Sequence, residues 1–199
     1  MFGLGFAHAF GPDHLAAITA LARPGSSFAR ILHISVRFGA GHALLLFLFA
    51  SLSLLFGYLP SEGAMRVAET VGGLFLMVLG AWVLHDTFRA RSRHPDAGAR
   101  GGQGTRSAGI WGSLFAISGT RSLLLAVGAA TVAHDLAVAL FFVAAFGLGI
   151  FAGMAAFGVL LAWGGKKFLS KEGMRRPAGF TTAGLSFGLG LYWAVAVWV

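Results

Sequence analysis

The sequence predicts an all-α integral membrane protein with six transmembrane helices, arranged as two inverted three-helix repeats whose first helices are broken. Three observations lead to this prediction. The chain is 57% hydrophobic and only 11% charged, which lies outside the usual balance of a soluble domain. Six apolar runs are long enough to cross a hydrocarbon core of about 30 Å. Basic residues cluster in every second connection between these runs.

The apolar runs define the predicted spans and a single transmembrane domain over residues 1–199. The first run carries His8, Asp13 and His14 and has no basic leader, so it is expected to be a retained span rather than a signal peptide. The chain contains no cysteine, which excludes disulfides and thiolate metal sites. The predicted spans are residues 2–21, 38–58, 67–86, 109–130, 137–164 and 178–198, with approximate bounds.

The charge distribution predicts the orientation of the chain. Thirteen of the fifteen Lys and Arg residues fall between spans 1 and 2, 3 and 4, or 5 and 6; Arg66 and Arg121 are the exceptions. By the positive-inside rule these three connections are expected to be cytoplasmic, so both termini are expected to lie outside. We therefore interpret the net charge of +8 as the charge that orients the chain in the lipid bilayer, and no nucleic-acid partner is expected.

The two halves of the chain match each other at a nearly constant offset. Repeat 1 covers about residues 1–88 and repeat 2 about residues 108–199, and a flexible cytoplasmic linker rich in Arg, Gly and Ser is predicted between them, over about 89–107. Because each half has an odd number of spans, the second must run inverted through the membrane. The matched positions are Gly5 and Ala9 with Gly112 and Ala116, "FGAG" (38–41) with "FGLG" (146–149), and Gly73, Leu74 and Trp82 with Gly184, Leu185 and Trp193.

The motif "HAFGPDH", residues 8–14, concentrates polar groups within the first span. On a continuous helix Asp13 would lie about 140° and His14 about 240° around the axis from His8, so the three could not share a face. Pro12 has no N–H, and its ring clashes with the carbonyl of His8, so a break at Gly11-Pro12 is expected to swing His8 toward the other two and to expose that carbonyl.

These residue types predict a site for a divalent metal ion. Imidazole and carboxylate together suit nickel, cobalt or zinc, whereas calcium and magnesium prefer oxygen ligands alone. His8, Asp13 and His14 are therefore candidate ligands, and His42 on span 2 is a fourth, because the neighbouring Gly39 and Gly41 allow close helix approach. The glycine pairs Gly39/Gly41 and Gly147/Gly149 are expected to be close-packing positions.

The second half contains a matching break, "AISGTR" (116–121), which is expected to face the first at membrane depth. Thr120, Arg121 and the expected buried Glu69 are candidates for hydrogen-bonding the ligands or carrying protons. Three interpretations of these polar residues stay open. The chain transports a metal ion that they bind, or it is an intramembrane metalloenzyme in which they hold an ion with an activated water. In the third, the chain carries a small anion and Arg121 is its counter-charge.

The motifs resemble the nickel/cobalt permease family (NiCoT). "HAFGPDH" has the family's His-x4-Asp-His spacing, and "GFAHAFGPDHLAAI" followed by "FGAGHALLL" is most similar to its six-span, urease-accessory-type (UreH-like) branch. The resemblance extends through "GIFAGMAAFGVLL" and "AGLSFGLGLYW". It departs in the second break, where relatives often carry a histidine and this chain has Phe115 followed by "AISGT".

The resemblance implies a secondary permease of the cytoplasmic (inner) membrane, most simply for uptake, with Ni²⁺ or Co²⁺ as its transported substrate. His8, Asp13 and His14 occupy the motif positions and His42 matches the histidine of the next span. No enzymatic activity and no prosthetic group are expected. Export instead of import, the energy source and a homo-oligomeric state are left open at this point.

Overall fold

The computed structural model is all-helical wherever it describes regular structure. It describes residues 1–22, 26–89, 102–118, 124, 126–128, 130, 133, 135–168 and 172–199. Within them are seven helices, with further helical positions between 124 and 130. The helices are α1 (Phe2–His8), α2 (Pro12–Ala22), α3 (Phe28–Phe56), α4 (Glu62–Arg89), α5 (Gly102–Ser118), α6 (Leu136–Phe168) and α7 (Glu172–Ala196).

Three of these helices are long and apolar enough to cross a membrane: Phe28–Phe56, Glu62–Arg89 and Leu136–Gly165. Their apolar side chains point outward in large numbers, as expected of surfaces that face lipid rather than water. The protein is therefore membrane-embedded and helical. The short helices α1 and α2 together cover the first predicted span, and their division falls where Gly11-Pro12 was expected to break it.

Four helices (α3, α4, α5 and α7) begin several residues earlier than their predicted spans, and the two largest differences are those of α3 and α5. α3 begins at Phe28, ten residues before the predicted span, because Ser27 caps it by accepting a hydrogen bond from the backbone N–H of Arg30. α5 begins at Gly102, so residues 102–107 of the predicted linker are helical. Hydropathy marks the apolar part of a helix, and a polar first turn lies outside that signal. α3 ends at Phe56 and is followed by Gly57, whose φ of 62° is the left-handed conformation typical of a helix C-terminus.

The half-helix α2 lies at the centre of the bundle. It packs against α3, α4, α5, α6 and α7, and its Ala17, Ile18, Ala20 and Leu21 are almost completely buried. Around it, α3 packs on both α5 and α6, α4 packs along α7, and α1 packs on α6. The N-terminus of α2 is thereby held inside the protein.

Glycines from both halves permit matching close contacts between helices. A Cβ placed on Gly5 would overlap the carbonyl oxygen of Phe146, and one placed on Gly112 would overlap that of Phe38. Gly5 and Gly112, like Phe38 and Phe146, are matched positions in the two halves. α1 therefore meets α6 in the same way that α5 meets α3.

A second pair of contacts repeats this pattern. A Cβ on Gly41 would overlap the carbonyl of Gly109, and a Cβ on Gly149 would overlap that of Phe2. Gly39 also lies tightly against Met154. The expected close-packing role is confirmed for these glycines, but Gly147 lies only at ordinary contact distance from its neighbour on α3.

Alanine substitutions at Gly41 and Gly147 are expected to have opposite effects. Gly41→Ala forces its methyl group against the backbone of Gly109 and should lower the free energy of unfolding by about 1–3 kcal/mol. Gly147→Ala, whose methyl would meet Ala43 at an ordinary 3.6 Å, should be neutral or stabilising by up to about 1 kcal/mol, because alanine favours helix. Chemical denaturation of both variants in detergent measures the difference; equal stabilities would show that α3 and α5 do not approach as described.

Candidate metal site

The site begins at the break between α1 and α2. α1 ends at His8, residues 9 and 10 form a turn, and α2 starts at Pro12. The backbone N–H of Gly11 donates to the carbonyl of His8 (2.9 Å), and that of Leu15 donates to the carbonyl of Gly11 (3.1 Å). The predicted break is confirmed, but the His8 carbonyl, expected to be exposed, accepts a hydrogen bond across the break.

The break brings three histidines from three helices together. His8 on α1, His14 on α2 and His42 on α3 each offer one nitrogen, and these nitrogens all lie within 4.8 Å of one another. Nε2 of His14 is 3.3 Å from Nε2 of His42. His14 and His42 are fully buried, while His8 is half-buried. This cluster contains three of the four predicted ligands.

Asp13 lies beside the cluster on the other edge of His14. Its Oδ1 is 3.1 Å from Nδ1 of His14, which is an ion-pair distance without the alignment of a hydrogen bond, and Nδ1 makes no hydrogen bond among the described residues. The carboxylate therefore faces the ring nitrogen opposite the one that points to His42. Its oxygens are not among the three ligand atoms that group together.

Aromatic rings pack against two of the imidazoles. His42 lies nearly parallel to Phe38, with ring centroids 6.4 Å apart and 9° between the planes. His8 lies 6.0 Å from Phe146 at 30°. Sequence reasoning missed both phenylalanines as parts of the site, although they begin the matched motifs "FGAG" and "FGLG". Phe115, at the position matched to His8, packs on Phe38 instead (5.6 Å).

The apolar surroundings leave buried nitrogen atoms without partners. Nε2 of His8 is buried and makes no hydrogen bond within the described part of the chain. A buried polar atom left unpaired costs about 1–3 kcal/mol. A divalent ion shared by the three rings would use such lone pairs, so the cluster has the donor chemistry of a site for a first-row transition metal.

His42 fixes where the site lies along α3. It is the middle residue of the 29-residue helix α3, which spans Phe28–Phe56. At 1.5 Å per residue each helix end is about 21 Å away. The cluster therefore meets α3 halfway along its length.

The other candidate residues lie away from the cluster or outside the described residues. Glu69 is half-buried rather than buried, and it neighbours Thr70, whose hydroxyl accepts a hydrogen bond from the indole of Trp198 (2.9 Å) near the C-terminus. It is not one of the three residues of the cluster. The predictions for Thr120 and Arg121 fall outside the described residues. His33 and His85 are exposed, as solvated histidines at span ends would be.

Gly11 packs directly over the Asp13–His14 pair. A Cβ added to it would lie 2.7 Å from Oδ1 of Asp13 and 2.9 Å from Nδ1 of His14. Gly11→Ala should therefore displace both side chains and weaken divalent-ion affinity by roughly 10–100-fold, the cost typical of disturbing the groups that orient metal ligands. Gly3→Ala on α1, with nothing within 4 Å of its added methyl, is the control. Isothermal titration with Ni²⁺ measures both; equal affinity of the two variants would contradict the described geometry.

Comparison of the chain with family models, with curated proteins and with solved structures finds no match. The assignment of a function therefore depends on the geometry of this cluster.

Proposed function

We propose that the chain is a transmembrane transporter of nickel or cobalt ions, a secondary permease that takes up its substrate through a His/Asp site near the membrane midplane. The observation that carries this proposal is the convergence of His8, His14 and His42, from three helices, within 4.8 Å. Buried imidazoles with free lone pairs suit late first-row divalent ions. The resemblance of the motif "HAFGPDH" to the NiCoT motif supports nickel and cobalt among these ions.

The contacts between the halves support the inverted-repeat part of the proposal. The pair Gly5–Phe146 corresponds to Gly112–Phe38 when one half is laid on the other, and each glycine meets its partner's backbone carbonyl. Two halves related in this way can exchange their conformations, so that a central site opens first to one side of the membrane and then to the other. Many secondary transporters are built on this plan. In that scheme the chain has six spans, and the broken helix α1–α2 forms the first of them.

An intramembrane metalloenzyme is the competing interpretation. It requires a general base beside an ion-bound water. Among the described residues, Asp13 is the carboxylate beside the cluster, and it faces His14. Glu69 precedes Thr70 on α4, and Thr70 accepts a hydrogen bond from Trp198; Glu69 is not one of the three residues of the cluster. The positions of these two carboxylates favour ion binding and release over hydrolysis.

Cells that lack their own nickel uptake test the proposal and its direction. Cells expressing the chain should accumulate radioactive nickel or cobalt above the level of cells expressing His42→Ala. Accumulation below that level would indicate export rather than uptake. Equal accumulation, with both proteins present in the membrane, would contradict a transport function.

Orientation is tested separately with single-cysteine variants, since the natural chain has no cysteine. The proposed topology places residues 89–106 in the cytoplasm, so Ser92→Cys should react with a membrane-impermeant thiol reagent only after the cells are opened. Ser61→Cys, in the connection between α3 and α4, should react in intact cells. Reversed labelling of the two positions would overturn the proposed orientation.

A further inference from the structure

An apolar cleft of about 570 Å³ runs along the C-terminal half of α3. α3 and α4 are consecutive in the chain, but α4 packs along α7 and has little contact with α3. The cleft lies in the gap that results. Its walls include Phe49, Leu52, Ser53 and Phe56 on α3 and Ala64 and Ala68 on α4.

A second cleft, of about 490 Å³, runs along the C-terminal half of α6. Its α6 residues match those of the first cleft at the offset that matches "FGAG" with "FGLG". The first cleft reaches Ala116, in the break motif of the second half, and the second reaches Phe10, in the break of the first half. The clefts are therefore one feature that occurs in both halves. The α6 residues that correspond in order to the four on α3 are Phe157, Leu160, Leu161 and Gly164.

The two clefts lie at opposite ends of the protein. α3 and α6 run antiparallel, since Gly39 lies against Met154 and Gly158 lies against Ser35. Their C-terminal halves therefore point in opposite directions. The α3 wall of the first cleft extends over Leu46–Phe56, or about 15 Å of helix. This is roughly half of a hydrocarbon core of about 30 Å, which is the depth of one leaflet.

The lining of both clefts favours a hydrocarbon chain over an ion. Apart from Ser53 and Tyr58, the lining side chains carry no polar atom, so they could not replace the hydration of a cation. The access routes of an alternating transporter open in turn, whereas both clefts are present in one structure. Both volumes lie within the roughly 300–1,000 Å³ of ligand pockets.

The ends of the clefts suit the level of lipid headgroups. Tyr58, which lines the first cleft in the turn after α3, is 66% exposed, and tyrosine is enriched at membrane–water interfaces. The second cleft ends at Gly165, and the next two residues on α6 are Lys166 and Lys167. Lysines at a membrane surface attract the negative charge of lipid headgroups.

We propose that each cleft holds one acyl chain of a membrane phospholipid, so that the protein binds one lipid in each leaflet. The chain fills the space beside α3 or α6 that the described side chains leave open. This inference goes beyond the proposed function and is independent of the metal site.

Photochemical cross-linking in liposomes tests the proposal with the full chain. The probe is phosphatidylglycerol with a diazirine on one acyl chain. Cross-links should concentrate on the α3 and α6 residues of the clefts and exceed those on the opposite face of α3, where Leu44, Leu48 and Leu55 are exposed. Equal cross-linking of the clefts and this opposite face would indicate only the ordinary lipid contact of a membrane protein and would overturn the proposal.

Gly164→Leu should close the second cleft. A Cβ on Gly164 meets nothing within 4 Å, so the larger side chain can enter the cleft without displacing its neighbours. Cross-links to residues 157–161 should fall to the level of the opposite face of α3. Gly188→Leu on α7 is the matched control, because its Cβ also meets nothing within 4 Å and the gain in helix propensity is the same. Cross-links that persist in Gly164→Leu would contradict an acyl chain in this cleft.

Ser53→Cys distinguishes a lipid-filled cleft from a water-filled one. In the same liposomes this cysteine should stay unreactive toward a hydrophilic thiol reagent, because lipid occupies the cleft. Ser61→Cys, in the connection between α3 and α4, should react and is the positive control. Labelling of Ser53→Cys as rapid as that of Ser61→Cys would show an aqueous vestibule and overturn the proposal.

Discussion

The His14→Ala protein is expected to lose almost all of its affinity for Ni²⁺ while remaining folded in the membrane. His14 lies between His8 and His42, so its removal takes away a ligand and separates the other two. Zinc sites with four protein ligands bind with apparent free energies of about 10–16 kcal/mol, or roughly 3 kcal/mol for each ligand. The loss of one ligand should therefore lower the affinity for the ion by about 100-fold or more.

The matched control is His33→Ala, because His33 is an exposed histidine on α3, the helix that also carries His42. Its affinity should equal that of the natural chain. Calorimetric titration beside a thermal melt separates a lost ligand from a lost fold. Normal Ni²⁺ affinity in His14→Ala would contradict the assignment of the histidine cluster as the metal site. A lower melting temperature with intact binding would show that His14 is a packing residue.

The second large effect is expected from Pro12→Ala. A proline within a helix costs about 3 kcal/mol because it lacks an N–H and its ring clashes with the carbonyl four residues before it. Alanine at this position can donate to the His8 carbonyl and join α1 to α2. His8 would then point about 240° around the axis from His14, and the site would lose a ligand.

Pro177→Ala provides the control, since Pro177 lies inside helix α7 and the variant also removes a helical proline. Nickel affinity should fall about 100-fold in Pro12→Ala, as for the loss of one ligand, and should not change in Pro177→Ala. Unchanged affinity in Pro12→Ala would mean that packing of α1 on α6, rather than the proline, holds the break open.

Local chemistry made part of the site predictable from sequence. A proline clashes with the carbonyl four residues before it, so the effect is local in sequence. The break at Gly11-Pro12 could therefore be predicted without a structure. His42 could be proposed because its flanking glycines signal close helix approach. Gly41 does lie against Gly109, and His42 does reach His14.

Other features depended on tertiary structure. The motif spacing places Asp13 near the histidines but does not show on which edge of His14 its carboxylate lies. The packing of Phe38 on His42 requires the crossing of helices far apart in sequence. The early start of α3 was missed for another reason: the cap at Ser27 is a local feature, but a hydropathy pattern does not report caps. Glu69 was expected to be buried because its neighbours in sequence are apolar, but it is half-buried in the structure.

The most direct measurement of the central claim is ion flux into proteoliposomes that contain only this protein. Vesicles carrying the natural chain should accumulate radioactive Ni²⁺ with an inside-negative potential, since a divalent cation gains about 4.6 kcal/mol for each 100 mV. Vesicles carrying His42→Ala or His14→Ala should accumulate no more than empty ones. Uptake that is equal in the natural and histidine-substituted proteins, or absent from the natural protein although it binds Ni²⁺, would contradict transport through this site.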